Sequence, residues 1–80
     1  MMDNLEKYNS VFVESFEVSV EDLDSLEYES IPEWDSVGHM GMIAGLEDIF
    51  EITLEMDDII DFASYKKGKE LLAKYEVNIP

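Results

Sequence analysis

The sequence predicts an all-α fold, on three observations. Apolar residues recur at three- and four-residue steps in three separate stretches, the spacing that lines one face of a helix. Asp35 and Ser64, residue types suited to capping, stand directly before two of these stretches. Eighty residues without a cysteine form one domain, residues 1–80, with no disulfide or thiolate metal site to supplement its single core. Stability is then expected to be marginal and to rest on packed helices.

The first helix is predicted from about Asp3 to Phe16. Leu5, Tyr8, Phe12 and Phe16 share one face, Val11 and Val13 widen it, and Asp3 and Glu6 suit the positive end of the helix dipole. Residues 17–34 form a long connection. It carries Val18, Val20, Leu23, Leu26, Tyr28 and Ile31, too many apolar side chains for a free linker, and is predicted to pack on the core with a turn of helix near Val20 to Leu26. Pro32 biases Ile31 toward extended backbone and closes the segment.

The second helix is predicted from Ser36 to Phe50, with Asp35 as its N-cap. His39, Met42, Ile43, Leu46 and Phe50 form its core face, and Val37, Met40 and Ala44 a flanking apolar stripe. Gly38, Gly41, Gly45 and Asp48 fall on the remaining, solvent-facing side. The three glycines cost roughly 1 kcal/mol each relative to alanine. They are either places of close backbone approach or a tolerated loss of helix propensity. A brief helix follows from Asp57 to Phe62, and a last one starts after Ser64 and runs to about Tyr75. Tyr65, Gly68, Leu71, Leu72 and Tyr75 make its inner stripe, while the lysines in its first turn oppose the dipole. Acidic neighbours across the bundle, such as Asp57, Asp58 and Asp61, are predicted to answer them.

Charge excludes several function classes. Twenty acidic residues face five lysines and no arginine, a net charge of −15, and the stretch from Tyr8 to Tyr65 holds sixteen acids and no cation. Binding to nucleic acid phosphates needs clustered cations and is excluded. Partners with basic patches would be steered toward such a surface; equally, the acid would keep the chain soluble and monomeric. A charge this high favours disorder, but 46% apolar residues and nine aromatics at helical spacing argue for a folded chain weakened by self-repulsion. No apolar run approaches the roughly 20 residues that span a membrane. Met1-Met2-Asp3-Asn4 lacks the start of a signal peptide, so a cytoplasmic placement is expected.

The most informative residues are Asp35-Ser36-Val37, directly after Pro32-Glu33-Trp34. They put a serine hydroxyl at a helix N-terminus without a partner to make it a nucleophile. His39 lies one turn away, yet a working triad also needs an orienting acid, an oxyanion hole and a cleft that excludes water. His39 faces the core, where it is predicted to hydrogen-bond the preceding loop. Ser36 is thus better placed to be modified than to act, which points to a carrier and not an enzyme. Asp57, Asp58 and Asp61 offer a loose set of carboxylates, read as a solvated acidic face and not as a metal site.

Trp34-Asp35-Ser36-Val37-Gly38-His39-Met40, continuing through Ile43, Leu46-Glu47, Phe50 and Ile52, resembles the acyl carrier proteins. So do Asp58-Ile59, the Ser64 cap, and Leu71-Leu72 with Tyr75, and the likeness covers nearly the whole chain in length, acidity and helix order. The resemblance implies a four-helix bundle of three longer helices and one short, with a long loop between the first two. It implies that Ser36, with Asp35 before it, carries a covalent 4′-phosphopantetheine arm from coenzyme A, attached by a phosphopantetheinyl transferase. The arm's thiol would hold acyl intermediates as thioesters for fatty-acid, polyketide or other specialised acyl metabolism. A Met-bearing interior (Met40, Met42, Met56) would open to shelter the acyl chain.

Partner enzymes with basic patches would meet Asp35, Glu47, Asp48 and Glu51, with Val37, Met40 and Ala44 as apolar contacts. Gly38 and Gly41 stand where fatty-acid carriers commonly have acids, and Val37 replaces the usual leucine. These departures imply a specialised, freestanding carrier with a restricted set of partners. Trp34-Asp35-Ser36-Val37-Gly38-His39-Met40 resembles discrete carriers found alongside dedicated acyl- or aminoacyl-activating enzymes, including some serving surface-polysaccharide pathways. An aminoacyl or peptidyl carrier, and an unmodified acidic interaction module, are the alternative readings.

Overall fold

The computed structural model describes residues 2–80. Their order is α1 Asn4–Phe16, a 3-10 helix Val20–Ser25, α2 Ser36–Phe50, α3 Met56–Asp61 and α4 Tyr65–Ala73. No strand occurs among the described residues, where one isolated bridge joins Glu27 to Ser64. The Cα radius of gyration is 11.3 Å, close to the roughly 12 Å of a packed domain this long. The fold is thus a small all-helical bundle. Among the described residues no helix is long and apolar enough to cross a membrane.

Local chemistry sets each helix end. Asp3 is the cap of α1 and not its first residue, its carboxylate accepting the Glu6 N–H at 2.8 Å. Ser64 caps α4 by accepting the Lys67 N–H at 2.9 Å. The predicted turn at Val20 to Leu26 is the 3-10 helix. α3 lies one residue earlier than the sequence pattern placed it. α4 stops at Ala73, short of Tyr75, because the chain turns back there: the Val77 N–H donates to the Leu72 carbonyl at 3.1 Å and Val77 is buried.

Phe12 is the hub of the core. Its ring lies 4.9 Å from Tyr8, 5.7 Å from Trp34, 5.3 Å from Tyr65 and 6.2 Å from Phe62, joining α1, the long connection and α4. Burying such a ring stabilises by roughly 1.5–3 kcal/mol. Leu23, Leu26 and Trp34 are buried too, so the long connection packs on the core as predicted. The buried Tyr8 hydroxyl donates to the Tyr65 carbonyl at 2.6 Å, and burial pushes its phenol far above the usual range.

Several expectations are corrected by this packing. Phe50 is half-buried at the core edge, not inside. Of the three methionines assigned to the interior, Met42 is buried, whereas Met40 and Met56 are exposed. Gly38 and Gly45 do not face solvent. A Cβ on Gly38 would strike the Glu33 carbonyl, and one on Gly45 would come 3.1 Å from Val11 of α1. Only Gly41 is open. The lysines of α4's first turn do not answer the α3 acids; Lys66 and Lys67 are exposed, and the one ion pair among the described residues joins Lys74 to Asp58.

Every described residue with a left-handed backbone is a glutamate: Glu17, Glu29, Glu51 and Glu76, at φ 54–65°. Three of them follow α1, α2 and α4, where glycine is the usual occupant. Glu17→Gly should therefore raise stability by about 0.5–1 kcal/mol.

Gly41 and Gly68 separate two costs of glycine. Gly41→Ala adds a methyl to open space and should stabilise by about 1 kcal/mol. Gly68→Ala drives a methyl into the Tyr8 hydroxyl and the Phe62 ring, and should destabilise by about 1–3 kcal/mol. Thermal unfolding checks all three variants, since 1 kcal/mol moves Tm by roughly 4–8 °C in a domain of this size.

Candidate functional site

Ser36 is fixed from both sides of the helix start. The Asp35 carboxylate accepts the Gly38 N–H at 2.8 Å, and the Asp35 carbonyl accepts the His39 N–H at 2.8 Å. Because Gly38 has no Cβ, the Glu33 carbonyl lies against the helix and sets the angle of the incoming loop. Trp34, fully buried against Phe16 at 5.0 Å, anchors that loop. Asp35 and Ser36 are left exposed at the first turn of α2.

His39 is spoken for at both ring nitrogens. The Trp34 indole N–H lies 2.9 Å from Nδ1, and an indole nitrogen can only donate. Nδ1 is therefore the acceptor and Nε2 carries the hydrogen, which it donates to the Ile59 carbonyl at 2.8 Å. No nitrogen is free to take a proton from Ser36. The histidine is the core-edge group the sequence predicted, and it also ties α2 to α3.

Between α2 and α3 lies a groove of about 400 Å³. Ser36 stands on its lining with His39, Met40, Met56, Ile59, Ile60, Tyr28, Phe62 and Ala63. Phe62 is buried beneath it, and the Tyr28 ring meets His39 edge-on at 5.5 Å. With the His39 nitrogens engaged, the Ser36 and Tyr28 hydroxyls are the side-chain polar groups it has to offer. The rim is apolar and open to water: Met40 is 52% exposed, and Met56 and Ile60 69% each, while Val37, next to Ser36 in sequence, is 79% exposed. Exposed Glu33, Asp35, Asp57 and Asp61 give the neighbourhood its negative charge.

The residues predicted to meet partners separate into two groups. Val37, Met40, Ala44, Asp48 and Glu51 are exposed. Glu47 is half-buried, and its carboxylate accepts the Leu54 N–H at 2.9 Å, bracing the loop between α2 and α3. Asp58 does not belong to a solvated acidic face. It is buried, accepting Lys74 Nζ at 2.6 Å and the Tyr75 hydroxyl at 2.5 Å. Among the described residues no cluster of three or more His, Asp or Glu is placed to hold a metal ion.

Sequence reasoning missed the groove's far wall. Met56, Ile59 and Ile60 sit among acids in a six-residue helix, too short for a helical stripe to emerge. Comparison of the chain with protein-family models, with curated proteins and with solved structures gives no match.

The hydrogen bonds from Lys74 and then Tyr75 hold the Asp58 carboxyl below its ordinary range, while Asp58 raises Lys74 and Tyr75 above theirs. A lowered carboxyl contributes stability above its unfolded pKa and loses it as pH falls through the folded value. The raised pair contributes below its unfolded values and fades as pH rises through the folded ones. Asp58→Asn should therefore lower Tm at neutral pH, and the gap to the parent protein should narrow below about pH 4. Thermal melts of both proteins across the acid range check it.

Proposed function

We propose that this protein is a carrier whose Ser36 hydroxyl receives a 4′-phosphopantetheine arm, and that its bundle is arranged as in the acyl carrier proteins. One observation carries the reading: an exposed serine at a helix start borders an apolar groove of about 400 Å³. The site suits the group at both ends. The Ser36 and Val37 N–H groups have no intrahelical partners and, with the helix dipole, favour a phosphodiester. The groove gives an apolar thioester cargo somewhere to lie, and its lack of charge favours acyl over aminoacyl cargo.

In the loading step the Ser36 Oγ–P bond forms as the phosphoanhydride bond of coenzyme A breaks, and 3′,5′-ADP leaves. The hydroxyl proton passes to a base of the transferase, since His39 has no free nitrogen. The protein is then a substrate and not an enzyme. Its exposed acids and the apolar residues Val37, Met40 and Ala44 would meet enzymes that carry basic patches. A net charge of −15 favours a monomer, working in the cytoplasm, that visits several partners in turn.

The test is intact mass after incubation with coenzyme A, magnesium and a broad-specificity phosphopantetheinyl transferase. A gain of one phosphopantetheine that is lost in Ser36→Ala is the expected outcome. No gain on folded, unmodified protein would overturn the reading in favour of an acidic interaction module.

A further inference from the structure

α3 is the wall of the groove least supported by its own sequence. It has six residues, below the length at which a helix holds itself in water, and Glu55 gives it no side-chain cap. The extensive contacts between elements join α1 to α2 and the 3-10 helix to α1 and α4; α3 has none of that extent.

Polar groups from beyond α4 hold it instead. The Tyr75 hydroxyl accepts the Glu55 N–H at 2.9 Å and donates to Asp58 at 2.5 Å. It thus ties down a free N–H at the start of α3 and a buried carboxylate within its first turn. Lys74 Nζ donates to the other Asp58 oxygen at 2.6 Å. Both side chains stand in the turn directly after α4, which ends at Ala73. Neither Lys74 nor Tyr75 lines the groove, whereas Met56, Ile59 and Ile60 of α3 do. On the groove side, α3 is tied through the Ile59 carbonyl to His39, and Ile59 packs half-buried against the core.

We propose that Lys74 and Tyr75 form a strap that holds α3 closed against α2, and that release of Asp58 from the strap opens the groove beside Ser36. Lys74 and Tyr75 are positioning residues: they set where Met56, Ile59 and Ile60 stand without touching what lies between the helices. The strap follows from geometry alone, while its role in admitting cargo rests on the carrier reading above.

Amide hydrogen exchange on the unmodified protein tests it, with Tyr75→Phe and Lys74→Met as variants. Tyr75→Phe keeps the ring and removes the hydroxyl. Exchange of residues 55–61 should quicken by about tenfold or more and depend little on low concentrations of urea, because the opening is local and exposes little surface. The uncharged dye N-phenyl-1-naphthylamine should bind each variant severalfold more tightly than the parent. Unchanged exchange at 55–61, or exchange there with the same steep urea dependence as the slowest amides of α1 and α2, would overturn the strap. If one variant does not fold, the other decides by the same criteria. Neither readout involves modification of Ser36, so failure here is distinct from failure of the carrier reading.

Discussion

The position of Ser36 depends on a hydrogen-bonded line that runs from the Trp34 indole through the His39 ring to the Ile59 carbonyl. Each member comes from a different segment: the loop before α2, α2 itself, and α3. Trp34 is fully buried and His39 nearly so, and a buried polar group left without its partner costs about 1–3 kcal/mol. The line therefore fixes three segments relative to one another, with Ser36 at the point where loop becomes helix. It also decides the chemistry. A histidine committed at both nitrogens cannot activate a neighbouring hydroxyl, so Ser36 is presented and left passive.

Self-repulsion is the opposing force. A net charge of −15 on eighty residues penalises the folded chain, and the lysines do little locally to relieve it. Lys66 and Lys67 extend into solvent, Lys69 lies 4.9 Å from the Tyr65 ring centroid, and Lys74 alone pairs with an acid. The aromatic cluster around Phe12 is what offsets the repulsion. A surface that is costly to keep so uniformly negative makes physical sense if it meets basic partners, which is the role the carrier reading gives it.

Helix order and most of the core were legible because α1 and α2 carry full helical stripes with a recognisable aspartate at each start. The buried long connection was legible from its apolar content. The failures share a cause: each depends on what lies opposite, which one chain's periodicity does not record. Gly38 and Gly45 look solvent-facing on a wheel, yet the Glu33 carbonyl and Val11 press against them. Asp58 reads as one acid among several and is instead buried on Lys74 and Tyr75. The serine of the candidate site was visible in sequence; the groove beside it was not. More than half its lining comes from α3 and the residues just after it, where the helix is too short to show a face.

The bundle is uneven in how it is held. α1, the long connection and α4 share an aromatic interior in which Tyr8, Phe12, Trp34, Phe62 and Tyr65 interlock. α3 itself contributes no ring to that cluster, which it meets through Ile59 and its C-cap Phe62; Met56 and Ile60 face water, and hydrogen bonds moor the helix at either side. Packing energy spread over many contacts gives way only when the whole domain unfolds, whereas a few polar moorings can be exchanged for water one at a time. A domain this small cannot be both uniformly rigid and able to admit a ligand between its helices. Confining the weakness to α3 lets the wall of the groove yield while the loop that presents Ser36 stays anchored through Trp34.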